Sequence, residues 1–167
     1  MRKTAWLVVG VLLLAATVSA QDTPKAELSV GYSYVRSDAN FHGGSVSFAG
    51  NFNSWFGVAG DFGGYRVSES GVSGSVLTYT FGPRISCRSE SRITPFVQTL
   101  VGGARASAFG GSANSVALLA GGGIDIKASE NIAIRAFQVE YVFTRFGGIT
   151  DHSVRASAGI VFRFGKR

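Results

Sequence analysis

Residues 154–164, near the end of the 167-residue chain, read VRASAGIVFRF. Apolar side chains occupy every second position of this stretch, whereas the positions between them include the arginines Arg155 and Arg163. Successive side chains of a β-strand point to opposite faces, so a period of two predicts a strand with one apolar face. The stretch therefore predicts a β-strand that separates an apolar environment from a polar or crowded one.

The same alternation recurs in seven earlier segments, which gives eight predicted strands. In the fifth segment we expect Gln98 to point inward, which places Val97 and Val101 on the outer face. In the seventh segment Arg135 falls on the apolar face, so either its side chain snorkels to an interface or a β-bulge shifts the alternation. The predicted strands cover residues 26–34, 45–52, 56–63, 77–85, 93–105, 118–126, 132–144 and 154–164.

The composition excludes several other classes of protein. Hydrophobic residues make up 46% of the chain and charged residues 16%, which is the reverse of a disordered protein. One cysteine, Cys87, cannot form a disulfide within the chain. The longest apolar run, residues 116–126, is interrupted by three glycines and is too short for a membrane-spanning helix of about 20 residues. A chain of this kind can cross a bilayer only as a closed barrel, in which every backbone group finds a partner.

The first twenty residues differ in character from the rest. Arg2 and Lys3 precede an apolar stretch at residues 6–16, and Val18-Ser19-Ala20 then gives small residues at the two positions that a signal peptidase reads. This order is typical of a secretory signal peptide, so we predict a signal peptide at residues 1–20 and a barrel domain at residues 21–167. The remaining charges form no basic run, so no nucleic acid partner is expected.

Two features favour a transmembrane barrel over a soluble, lipocalin-like barrel. The less apolar face of the strands carries Gly, Ser, Ala and Thr instead of the Lys and Glu coat of a soluble surface. Aromatic residues gather near strand ends, as they do at membrane interfaces. These aromatic residues are Tyr34, Phe52, Trp55, Phe56, Phe81, Phe162 and Phe164. The predicted fold is therefore an all-β, eight-stranded antiparallel up-and-down transmembrane β-barrel.

The predicted connections alternate in length. Transmembrane barrels combine long extracellular loops with short periplasmic turns, so we expect both chain termini on the periplasmic side. The long connections are expected at residues 37–44, 66–74, 105–115 and 145–152, and the short ones at 53–54, 87–92 and 128–131.

Six segments carry a resemblance to a known family. They are GNFNSWFGVAGDFGGY (50–65), YTFGPRIS (79–86), TPFVQTLVGGAR (94–105), GGGIDIK (121–127), IAIRAFQVEY (132–141) and RASAGIVFRFG (155–165). The sequence resembles the small outer-membrane β-barrel proteins of Gram-negative bacteria, the porin-like, OmpA/OmpX-like barrels. This resemblance implies export through the periplasm to the outer membrane, a monomer, and contact with outer-membrane lipids and lipopolysaccharide. It also implies recognition by the barrel-assembly machinery through the last strand, which ends at Phe164.

The inward face carries the candidate functional residues. Its four acids and three arginines should pair, because an unpaired buried charge costs several kcal/mol. An eight-stranded barrel is only wide enough for its own side chains, which favours a packed polar plug over a narrow ion path. The predicted lumen network comprises Glu27, Asp61, Arg84, Gln98, Asp125, Glu140, Arg155 and Arg163.

No catalytic, cofactor-binding or metal-binding residue is predicted. His42 and His152 both fall in predicted extracellular loops, near Asp151, but they lack the spacing of an active site or a metal site. We expect a structural or surface role without catalysis. A narrow porin-like channel and a ligand-binding or adhesive barrel that acts through its loops remain as alternatives.

Overall fold

The computed structural model describes residues 23–36, 40–69, 72–89, 91–108, 111–146 and 149–166. The predicted signal peptide, residues 1–20, lies outside these ranges. The described residues form eight strands joined in chain order into one closed barrel. The strands are β1 (Pro24–Arg36), β2 (Asn40–Asn51), β3 (Phe56–Glu69), β4 (Val72–Ser86), β5 (Ile93–Ala108), β6 (Gly111–Lys127), β7 (Ile132–Phe146) and β8 (Ile149–Lys166).

The barrel closes where β1 pairs with β8. Each strand is antiparallel to both of its neighbours, and the β1–β8 ladder runs from Pro24 opposite Lys166 to Arg36 opposite Val154. Closure leaves no strand edge with unpaired backbone groups. The predicted eight-stranded antiparallel up-and-down barrel is confirmed. In the part of the chain described above, no helix has the length and apolar character needed to cross a bilayer.

The outer surface of the barrel is apolar and its interior holds the charges. Phe62 is 60% exposed and Phe81 is 64% exposed, whereas the inward neighbours Asp61 and Arg84 are 2% and 3% exposed. A soluble barrel would bury its apolar face and expose its polar face. The observed arrangement is that of a transmembrane barrel, with lipid-facing apolar residues and a polar lumen. The expected orientation of Gln98, Val97 and Val101 is also confirmed.

The expected long connections are wrong. Strands β1 and β2 are separated by residues 37–39, and the next three connections at this end are 70–71, 109–110 and 147–148. The predicted loops are largely paired strand, as in the match of Arg105 with Asn114 across β5 and β6. Ser, Gly and Asn occupy both faces of these strand ends, so no alternation of polarity marked them as strands. We call this end of the barrel the upper rim.

The opposite end of the barrel carries Thr23, Lys166 and the longer connections, and we call it the lower rim. The connections there are residues 52–55, 87–92 and 128–131. The difference in connection length is therefore the reverse of the predicted one. Backbone bonds close these turns, as between the Ala128 amide and the Ile132 carbonyl.

A β-bulge in β7 explains the position of Arg135. The pairing of β7 with β8 shifts between Arg135 and Gln138, and both intervening residues, Ala136 and Phe137, are exposed. Because two successive residues face outward, the alternation changes parity there, so Arg135 points inward and Ile134 points outward. The bulge is confirmed, and the alternative that Arg135 snorkels along the lipid face is wrong.

A charge on the outer face tests whether that face lies in lipid. Val30 lies midway along β1 and is 47% exposed. We expect Val30→Arg to lower the free energy of unfolding in lipid bilayers by about 2–4 kcal/mol, because the guanidinium would enter the apolar band. Asn131→Arg, in an exposed connection at the lower rim, is the matched control and should cost at most about 1 kcal/mol. Denaturant titration in vesicles measures both. Equal effects would contradict a lipid-facing Val30.

Candidate functional site

The lumen holds the candidate site. All eight residues of the predicted network face the interior and are at most 9% exposed. They form three clusters, stacked from the lower rim toward the upper rim, and two arginines outside the predicted set join them. The described lumen thus buries four acids and five arginines: Glu27, Asp61, Asp125, Glu140, Arg84, Arg88, Arg135, Arg155 and Arg163.

The lower cluster is centred on Glu27. Arg163 lies directly opposite Glu27 across the β1–β8 closure, and its Nε donates to Glu27 Oε1 at 3.2 Å. Arg88 comes from the connection between β4 and β5, and its Nη2 donates to Glu27 Oε2 at 3.1 Å. Arg88 Nη1 also donates to the Ser54 carbonyl at 3.1 Å, which joins two lower connections. The cluster therefore ties β1, β8 and two connections together at the lower rim.

The middle cluster is centred on Asp125. Arg135 makes a bidentate contact with Asp125, from Nε to Oδ1 at 2.7 Å and from Nη2 to Oδ2 at 3.0 Å. Arg84 Nη2 reaches Asp125 Oδ2 at 3.5 Å. Both guanidinium groups also lie over the Phe96 ring, 3.8 Å from its centroid for Arg84 and 4.5 Å for Arg135. The Phe96 ring thus contacts both cations, and they share the single carboxylate of Asp125.

The upper cluster is centred on Arg155. Its Nε donates to Glu140 Oε2 at 2.7 Å, and its Nη1 donates to Asp61 Oδ1 at 2.6 Å and to the Tyr65 hydroxyl at 3.0 Å. Gln98 Nε2 donates to Glu140 Oε1 at 2.8 Å. Because Arg155 starts from β8 and Asp61 from β3, this cluster crosses the full width of the lumen.

A glycine makes room for the upper cluster. Gly121 on β6 lies opposite Gln98 on β5 and opposite Glu140 on β7. A Cβ at this position would meet the Val139 carbonyl and Cα and Cγ of Glu140. The missing side chain therefore lets Gln98 reach Glu140 across an intervening strand.

Two residues of the clusters were missed from the sequence. Arg88 falls in a predicted connection, and Arg135 fell on the apolar face because the bulge was not placed. The charge count could have signalled one further arginine, since three arginines leave one of four buried acids unmatched, but the described lumen holds two more. Arg135 is tightly bound, since its Nη1 also donates to Gln138 Oε1 at 2.8 Å and to Ser29 Oγ at 3.2 Å.

The lumen above the Arg155 cluster is apolar, which was also missed. Leu100, Leu119 and Ala117 are at most 1% exposed, and Ala104 and Val142 belong to the same core cluster. The alternation showed these positions as a less apolar face containing small residues. Two leucines on adjacent strands are enough to give part of this lumen an apolar interior.

The two histidines lie on strands rather than in loops, and they are not brought together. His42 on β2 and His152 on β8 are both exposed, with β1 between their strands. Nδ1 of each ring shares a hydrogen bond of 2.5 Å with a tyrosine hydroxyl. The partner of His42 is Tyr32, and the partner of His152 is Tyr141. Within the ranges that the structure covers, no three His, Cys, Asp or Glu residues are placed to hold a metal ion.

Comparisons with known proteins were made on both sequence and structure. A scan of protein-family profiles found no match, and a search of curated proteins found no similar sequence. Solved structures do match. Neisserial surface protein A (NspA) has a TM-score of 0.64 and 15% identity, over 83% of this chain and 96% of that chain. The N-terminal β-barrel domain of Pseudomonas aeruginosa OprF has a TM-score of 0.55 and 14% identity, over 85% and 100%.

A third match is the attachment invasion locus protein Ail of Yersinia pestis. Its TM-score is 0.50 and its identity 23%, over 84% of this chain and 99% of that chain. The chain has the fold of the eight-stranded outer-membrane barrels. The fold expected from the resemblance is therefore confirmed by structures whose whole length is matched.

Removal of the Arg155 guanidinium tests whether the upper cluster stabilises the barrel. We expect Arg155→Met to lower the free energy of unfolding by about 3–5 kcal/mol, because Glu140 and Asp61 would keep buried charges without their cation. Arg145→Met, at an exposed position near the upper rim, is the control and should change it by at most about 0.5 kcal/mol. Denaturant titration of refolded protein measures both. A similar small effect of the two substitutions would show that the buried pairing does not matter.

The space at Gly121 can be tested separately. We expect Gly121→Ala to lower the free energy of unfolding by about 1–3 kcal/mol, because the new methyl group overlaps backbone atoms of Val139 and Glu140. Gly50→Ala is the matched control on the outer face, where a Cβ meets no atom within 4 Å. It should be neutral or stabilising. If both alanines are tolerated equally in the same titration, the packing argument fails.

Proposed function

We propose that this protein is a bacterial outer-membrane barrel with a structural or surface role, in which the lumen is closed by its own side chains. The observation that carries the proposal is the stack of three charge clusters. Each one links strands or connections that are not neighbours in the barrel. The lower cluster joins Arg88 to Glu27, the upper cluster joins Arg155 to Asp61, and the middle cluster runs from Arg84 on β4 through Asp125 and Arg135 to Ser29 on β1. An ion passing through would have to displace paired, buried groups at three successive levels.

The outer surface supports a location in the outer membrane. Aromatic groups lie near both rims. Phe52, Trp55 and Phe56 pack together at the lower rim. Tyr32 and Tyr141, each in contact with a histidine, lie nearer the upper rim. Aromatic residues prefer the two interfaces of a bilayer. Ail, one of the structures with this fold, was also determined in a phospholipid nanodisc. Outer-membrane lipids and lipopolysaccharide are the partners that such a surface fits.

Export and assembly complete this proposal. Residues 1–20 would direct secretion and be removed. The last strand would then be recognised by the barrel-assembly machinery, since Phe162 and Phe164 of β8 face outward at its lower end. The barrel would act as a monomer, because its sheet has no free edge to pair with another copy.

A non-catalytic role fits the site. The buried carboxylates each contact at least one arginine, so none is held ready as a general acid or base. The exposed histidines are each bonded to a tyrosine and are separated by β1. At the upper rim two or three residues separate successive strands, which leaves little chain for a binding loop.

Single-channel recording in planar bilayers tests the closed lumen. We expect refolded protein, verified by its heat-modifiable gel shift, to show no stable unitary conductance. A variant in which six of the nine buried charged residues, two in each cluster, are shortened to serine should conduct when it gives the same gel shift, because most of the charged groups that cross the lumen are gone. Its substitutions are Glu27→Ser, Arg163→Ser, Asp125→Ser, Arg135→Ser, Glu140→Ser and Arg155→Ser.

A stable unitary conductance of the unmodified protein would overturn the closed lumen and favour a narrow channel. Absence of the gel shift, together with partition into the soluble periplasmic fraction, would overturn the membrane location.

A further inference from the structure

The apolar part of the lumen contains a cavity of about 230 Å³. Its floor is the upper cluster, through Arg155 and Tyr65, and its walls extend to Val35 and Phe41 near the upper rim. Its other apolar lining includes Val76, Ala104, Leu119 and Val142. The cavity is therefore separate from the lower and middle clusters and is bounded below by paired charges.

The cavity is unusual for its place in the fold. The lumen of a transmembrane barrel is ordinarily polar, and water can fill gaps between its polar side chains. An apolar cavity holds water poorly and loses dispersion contacts along its lining when it is empty. An engineered apolar cavity of about 150 Å³ is already large enough to bind benzene. This one has room for a single ring with a short substituent.

Polar groups at the edge of the cavity restrict the chemistry of an occupant. Tyr65 lines the cavity, and its hydroxyl oxygen accepts a hydrogen bond from Arg155 Nη1 at the floor. Thr78, Thr144, Asp151 and Ser153 also line the cavity. The charge of Arg155 is already matched by Asp61 and Glu140. Because most of the lining is apolar and the cation at the floor is already paired, the cavity suits a neutral molecule with a single polar group.

We propose that the upper half of the lumen is a binding site for a small, neutral, largely apolar molecule, such as a single-ring alcohol. The apolar walls supply the binding free energy, and the Tyr65 hydroxyl orients the oxygen of the ligand. Because the paired charges below close the lumen, the site is a pocket and not a passage. This goes beyond the structural role proposed above: that the site is a pocket rests on the proposed closed lumen, whereas the binding itself does not.

Benzyl alcohol and ethylbenzene are suitable probes, because they have nearly the same shape and differ by a hydroxyl in place of a methyl group. The protein is placed in lipid nanodiscs, and amide chemical shifts are followed during titration. We expect saturable shifts with benzyl alcohol at Tyr65, Thr144 and Ser153, which line or adjoin the cavity, and none at Asp125 in the middle cluster.

Two pairs of variants make the test specific. Ala104→Leu fills the cavity and should abolish the saturable shifts, whereas Ala158→Leu adds the same atoms to the exposed outer face and should leave them unchanged. If Ala104→Leu does not give the gel shift of a folded barrel, Val76→Phe fills the cavity from another strand. Tyr65→Phe should weaken benzyl alcohol binding about threefold to tenfold and leave ethylbenzene binding unchanged.

Three outcomes would overturn the proposal. The shifts could rise linearly without saturation, they could occur only at outward-facing residues, or they could persist when the cavity is filled. Each would mean that the probes only partition into the lipid. The conductance of the protein does not affect this readout, so failure of the binding site and failure of the closed lumen are distinguishable.

Discussion

Closure of the sheet between β1 and β8 is the constraint on which the rest of the structure depends. In hydrocarbon, a backbone donor or acceptor without a partner costs several kcal/mol, so the sheet must have no edge. Closing only eight strands makes a barrel so narrow that its inward side chains meet at the centre. The charges placed there have to neutralise one another, and the glycines have to leave them the space to do so. Closure therefore explains both the apolar exterior and the paired interior.

The sequence predicted the features that depend on a period of two. Strand number, order and facing followed from alternation, as in residues 154–164, and the inward positions of Glu140 and Arg155 followed with them. Alternation fails where a β-bulge adds a residue to a strand. The sequence therefore left two possible positions for the Arg135 side chain, on the lipid face or in the lumen. It also fails where both faces have the same polarity, so the paired ends of β5 and β6 looked like a loop. Arg88 could not be placed, because a connection has no periodicity.

The interior changes character along the barrel axis. Near the lower rim and at mid-height, the lumen contains five arginines and four acids. Apolar side chains could also have stabilised it, because replacing a buried ion pair by apolar groups often leaves the free energy of unfolding unchanged. Above them, Leu100, Leu119 and their neighbours line the lumen with apolar side chains instead. The branched guanidinium groups bridge strands that are far apart in the chain, whereas the apolar side chains contact their neighbours without fixed partners. The two halves thus differ in how strictly they define the barrel geometry.

The close spacing of successive strands at the upper rim affects how that end of the barrel would meet a protease or an antibody. A protease has to accommodate an extended segment of substrate, and exposed loop tips are where chains are usually cut. With two or three residues between successive strands, such a segment could be released only by breaking ladder bonds on either side. The same geometry limits the continuous epitope available to an antibody. A barrel built in this way would resist proteolysis at this rim and offer few continuous epitopes there.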